Sequence, residues 1–191
     1  MQNAEKLAQW IRAQLPYRRE ALTHLKLQKL SFYCYGAALA FGAAEAVGTD
    51  IVFEAWDHGP VCREIWERFR QYGKTPIPFL SPSAARTYAP EVEEHLLDAL
   101  RVYGPLQAWS LRQESHLEEP WIRAFKDSQR EITSEELRAH FKKKFTSGTV
   151  QFPEYLLHAS SARLDGIPVA GRPSLRALGE TVLRLATPHA V

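Results

Sequence analysis

The chain has 191 residues, 45% of them hydrophobic and 11% aromatic, which suits one domain with an appendage, or two small domains, and a sizeable core built without disulfide or metal staples. A formal net charge of +2 argues against strongly charge-driven nucleic-acid binding and against a polybasic membrane anchor. Two cysteines, Cys34 and Cys62, with no CxxC and no secretory pattern, fit reduced thiols in a cytoplasmic protein better than a disulfide, and no stretch approaches the ~18 apolar residues of a membrane span.

The spacing of Leu7, Trp10, Ile11 and Leu15 predicts a first helix from Ala4 to Leu15, closed by Pro16. A second starts after Thr23, a candidate N-cap, and runs through "HLKLQKLSFYCYGAALAF". Leu27, Leu30, Cys34, Ala38 and Phe41 make one stripe, and Leu25, Phe32, Tyr35 and Leu39 cover much of the rest. Only its first turns are polar, through Lys26, Gln28 and Lys29, so it reads as the buried central helix. "IVFEAW" (Ile51 to Trp56) is the one convincing strand, short, β-branched and aromatic, with no evident partner. After "DHGP", a helix is expected from about Val61 to Tyr72, with Val61, Cys62, Ile65, Trp66 and Phe69 on a wide apolar face and Gly73 at its end.

Residues 74–90 hold four prolines and read as an extended connection. A helix from Glu91 to Tyr103 follows, then two short helical pieces, "QAWSLRQESH" and "EPWIRAF", around a turn near His116. Thr133 and Glu136 fit a capping box for the helix "SEELRAHFKKKF". "TSGTV" resembles a linker, and beyond it Leu175, Leu178, Val182 and Leu185 form an amphipathic pattern. The expected architecture is mainly α: a compact helical domain over residues 1–145, built around a buried central helix with a minor short β element, and a C-terminal extension over residues 146–191.

Catalytic and cofactor signals are weak. None of the seven histidines or two cysteines shows zinc-like spacing, so no metal is expected. A Cys62–His58 pair is conceivable on spacing alone, but Cys62 belongs to a stripe that faces the core, where a thiol is not activated. There is no P-loop, no GxGxxG and no nucleophile elbow, and no catalytic residue or cofactor is assigned. Lys142, Lys143 and Lys144 in "HFKKKF" are the best local nucleic-acid feature, yet lysines at a helix C-terminus also complement the helix dipole, and no wider basic stripe accompanies them.

Two motifs remain, "WDHGPV" and "RQESHLEEPW". In the first, Pro60 suits a helix start, Gly59 lets the backbone turn, and Asp57 can accept from free N–H groups. His58 reads as a polar plug tying the turn to another segment through both ring nitrogens, in preference to a catalytic group. The second motif is alike in kind: His116 at a turn, two acids, then Pro120 at a helix start with Trp121 as anchor.

Taken in order, these segments resemble the Panacea, or SocA-like, antitoxin domain. The resemblance rests on "LQKLSFYCYGAALA" (Leu27 to Ala40), "EAWDHGPV" (Glu54 to Val61) with "REIWERFRQYG", "VYGPLQAWSLRQESHLEEPWIRAF" (Val102 to Phe125) and "ITSEELRAHFKK". It spans roughly residues 4–144, and it departs from the family at "QESH", where Glu114 and Ser115 replace a more typical pair before His116. The resemblance implies a non-enzymatic antitoxin that neutralises a co-encoded toxin by direct binding. One type in that family delivers its toxin to a cytoplasmic AAA+ protease, so the implied partners are a cognate toxin and, for an adaptor, such a protease.

A toxin interface of about 1,600 Å² needs a few aromatic or Arg anchors. The candidates for partner binding are Trp56, His58, Arg63, Trp66, Trp109, His116 and Trp121, with the tryptophans divided between core and interface. The structural motif residues are Asp57, Gly59, Pro60, Val61 and Pro120. The alternative function is a DNA-binding autoregulator of its own operon that uses Lys142 to Lys144.

Overall fold

Helix α1 (Asn3–Gln14) buries Leu7, Trp10 and Ile11 against α2 (His24–Ala40), the axis of the molecule. The computed structural model describes residues 3–15, 22–81, 87–127 and 130–146. Thr23 caps α2, its hydroxyl accepting from the Lys26 N–H at 3.3 Å. As expected of a helix apolar nearly all round, α2 is enclosed: α1, α5 (Pro90–Tyr103), α6 (Ala108–Ser115) and α8 (Ser134–Thr146) all pack on it. The polar first turns are enclosed as well, since Lys26, Gln28 and Lys29 are themselves buried. Lys29 and Gln28 are buried because the segment after "DHG" needs their donors and acceptor, as described below.

The strand β1 (Phe53–Trp56) has two antiparallel partners that the sequence did not reveal, β2 (Gly59–Val61) and β3 (Glu131–Ile132), in the order β2-β1-β3. Trp56 pairs with Gly59, Ala55 with Pro60 and Glu54 with Val61, while Phe53 pairs with Ile132. The helix predicted from Val61 to Tyr72 is therefore shorter. Gly59, Pro60 and Val61 are extended, α4 covers Arg63–Phe69, and a 3₁₀ turn, Arg70–Tyr72, ends at Gly73. Pro60 is not at a helix start; it sits in a sheet edge strand, where its missing N–H is equally harmless. Cys62 is the residue before the helix rather than part of its face.

The remaining helices follow the sequence closely. Pro90 opens α5, Pro120 lies in the first turn of α7 (Glu119–Lys126), and the Thr133–Glu136 capping box forms in both directions. A short helix α3 (Ala44–Val47) precedes the sheet. At the centre, Tyr33 of α2 stacks on Tyr103 of α5 at 3.7 Å, and Phe32 meets Phe53 and Phe141 edge-on. Helix α8 approaches α2 closely because Gly36 leaves room: a Cβ there would lie 2.4 Å from the Phe141 ring. The fold is mainly α with a small β element, as expected; the extension beyond residue 146, including the Leu175–Leu185 pattern, lies outside the described residues.

Candidate functional site

The turn at Asp57 and His58 is held by α2 from one side and α6 from the other. The Lys29 Nζ donates to the Pro60 carbonyl at 2.7 Å. Gln28 brackets Cys62: its Oε1 accepts from the Cys62 N–H at 2.9 Å and its Nε2 donates to the Cys62 carbonyl at 3.1 Å. Residues 59–61 are held extended by pairing with β1, and at Cys62, just past the strand, one amide side chain supplies what a neighbouring strand would. Gly59 has φ +88, a conformation that L side chains rarely adopt, and a Cβ there would lie 2.5 Å from the Ser115 Oγ, 3.0 Å from the Lys29 Nζ and 3.2 Å from the His116 ring. The tertiary structure therefore joins the two motifs: "HGP" rests directly on "SH".

His58 departs from its expected role as a plug. It is exposed, and among the described residues its Nδ1 alone is hydrogen-bonded, accepting from the Arg112 Nε at 3.3 Å. Asp57 is likewise exposed and takes part through its carbonyl, which accepts from the Arg112 Nη2 at 3.2 Å. The histidine that plugs the interior is His116. Its ring stacks on Trp121 at 4.0 Å, and its Nε2 is enclosed, with no hydrogen-bond partner among the described residues. Burial, with the charges of Arg112, Lys29 and His58, pushes His116 down to about 4, so it is neutral near pH 7. Lys29 is held well below the ordinary lysine range, by burial first and by Arg112 second.

The five tryptophans divide between inside and outside. Trp10 is buried and donates to the Glu93 carboxylate at 2.9 Å. Trp121, a sequence candidate for partner binding, is buried beneath the turn and donates to the Trp56 carbonyl at 3.2 Å. Trp56 and Trp66 are half-buried, their rings 5.5 Å apart, and Trp109 is 55% exposed. These last three line a groove of about 690 Å³ together with Leu25, His58 and Lys74. Each also carries a guanidinium over its ring: Arg63 on Trp56 at 5.6 Å, Arg70 on Trp66 at 4.8 Å and Arg112 on Trp109 at 4.7 Å. Glu54 fixes the first pair, accepting from both the Arg63 Nε and Nη2 at 2.9 Å and from the Trp56 Nε1 at 2.8 Å.

The Cys62–His58 pair does not assemble. The Cys62 thiol is buried and pushed up to about 11 by that burial, while His58 faces Arg112 and Trp109. Among the described residues, no group of three or more His, Cys, Asp or Glu side chains is placed to hold a metal ion, and no helix is long and apolar enough to cross a membrane. Of the three lysines of "HFKKKF", Lys142 and Lys143 are exposed. Lys144 is committed inward: its Nζ donates to Glu118 at 2.5 Å and lies 5.7 Å from the Tyr33 ring centre. The sequence reading missed Gln28, Lys29 and Arg112, the three side chains that hold the turn. The signal for Gln28 and Lys29 was a polar stretch in an otherwise apolar helix; Arg112 carried none. No protein-family profile, curated protein or solved structure matches the chain.

Proposed function

We propose that this chain is a binding protein of the Panacea, SocA-like type: an antitoxin that neutralises a co-encoded toxin by direct contact. The observation that carries this reading is the division of labour among the motif residues. Gln28, Lys29, Gly59, Ser115 and Trp121 are spent on holding one turn in place, whereas Trp56, Trp66 and Trp109 meet at an open groove with arginines on their rings. Tryptophan and arginine side by side are the residues that dominate binding energy at protein interfaces. The nucleophile suggested by the sequence, Cys62, is enclosed and unactivated, which also favours binding over catalysis.

The test is co-expression with the product of the adjacent gene. That product alone is expected to arrest growth, the pair to restore it, and the two proteins to co-purify. A harmless neighbour, or toxicity relieved with no complex formed, contradicts the proposal. Relief that disappears when a cytoplasmic AAA+ protease is deleted assigns the adaptor mode; relief that persists assigns neutralisation by blocking.

A further inference from the structure

The groove beside the turn has a chemical bias that narrows what can fill it. Its floor and walls are apolar, through Leu25, Trp56, Trp66 and Trp109, but its ionisable lining is mostly basic: Lys74 and Arg130 against Asp57, with His24 and His58 between. Two of the guanidinium groups on the tryptophan rings, Arg70 and Arg112, form no ion pair with a carboxylate among the described residues, nor does Lys74. Arg63 differs, since Glu54 already neutralises it. The groove therefore offers apolar surface with more basic than acidic side chains in and beside it.

We infer that the groove is the docking site for an acidic peptide segment of a partner protein, one that inserts a leucine or aromatic side chain between the tryptophans and places Asp or Glu on either side of it. The inference rests on the reading of the chain as a binding protein and specifies the chemistry of what it binds. An apolar anchor supplies burial, and flanking carboxylates supply charge-assisted hydrogen bonds to Lys74, Arg130 and Arg112 and guide the approach. The chain's own residues 147–191 are close to balanced, with Arg163, Arg172, Arg176 and Arg184 against Glu154, Asp165 and Glu180, so as a whole they lack the acidic excess this role calls for. Stacked nucleobases fit poorly as well. Trp56 and Trp66 meet at 55°, which forms no parallel-walled slot, and an arginine already covers one face of each groove tryptophan.

The test uses the full chain against a phage-displayed library of random dodecapeptides, with counter-selection on a Trp109→Ala/Lys74→Glu variant. Both positions are exposed, and circular dichroism melting checks that the variant folds. Enriched peptides are expected to carry Asp or Glu flanking a Leu, Phe or Trp. The synthetic consensus peptide should bind the full chain by fluorescence anisotropy, more weakly as salt rises, and lose affinity about tenfold or more on Lys74→Glu or Arg130→Glu. A neutral or basic consensus, no enrichment, or equal affinity for the charge-reversed variants overturns the inference. So does displacement of the bound peptide by oligothymidine or by a peptide of residues 147–191, or self-association of the chain, read by sedimentation, that the groove variant abolishes. The two proposals fail separately. A toxin complex that forms equally well with the groove variants removes this docking site and leaves the antitoxin reading standing; peptide binding beside a harmless neighbouring gene product does the reverse.

Discussion

Lys29 sits at 0% exposure with its Nζ on the Pro60 carbonyl, a position that few lysines occupy. Burial of the ammonium is costly, so the folded state favours the neutral amine and the lysine titrates well below its ordinary range. The unfolded chain then binds a proton that the folded chain releases, and the stability owed to this residue rises with pH until the ordinary lysine range, about 10.4, is reached. Replacement Lys29→Met removes the titrating group. In denaturant titrations at rising pH up to about pH 10, wild type is expected to gain on the variant as the ordinary lysine range is approached. Parallel profiles for the two proteins contradict a Lys29 held below that range. The difference between the proteins is the right readout, because the buried Cys62 thiol, raised to about 11, changes stability in the opposite direction over the same alkaline range in both.

At the scale of elements, the turn between α6 and α7 is tied to α8 by one carboxylate. Glu118 is buried; its Oε2 meets the His140 Nε2 at 2.6 Å and its Oε1 accepts from the Lys144 Nζ at 2.5 Å. Burial alone raises this carboxyl, but the His140 hydrogen bond and the Lys144 charge outweigh it, and the group ends below the usual carboxylate range. Its contribution is therefore complete above the unfolded glutamate value of about 4.3 and is lost as pH falls through the lower folded value. Glu118→Gln is expected to destabilise the protein by about 3 kcal/mol near pH 7, as when one partner of a buried ion pair is removed. The loss should shrink toward zero in acid, measured by urea unfolding at both pH values. A deficit of the same size in acid contradicts the ion-pair account. The same ties bear on the DNA-binding alternative, since Lys144 serves α7 and α8 rather than a phosphate.

For the whole molecule, α2 is the common partner of α1, α4, α5, α6 and α8, so its amides open only when the fold does. Native-state hydrogen exchange is expected to give the Leu30 to Ala38 amides the protection of global unfolding, with α4 exchanging faster; equal rates in α2 and α4 contradict this. That α2 would be central was legible in its sequence, because a 17-residue helix with leucine, phenylalanine and tyrosine on every side has no face to offer water. The helix order, the Pro120 and Thr133 starts and the short strand at Phe53 were legible for the same kind of reason: periodicity and capping are local. The residues of the site were legible only as types. Nothing local distinguishes Trp121, buried under the turn, from Trp109, exposed beside it, or says that His116 is enclosed and His58 is not. Those outcomes are decided where α2, α6 and the β1–β2 hairpin meet, by contacts between residues far apart in the chain such as Lys29 with Pro60 and Gly59 with Ser115. The sequence by itself determined a helical domain around one apolar helix, since helix caps and apolar periodicity act within a few residues. Only the tertiary structure decided which tryptophans face solvent and that three of them share a groove, because burial is a property of what the rest of the chain brings alongside.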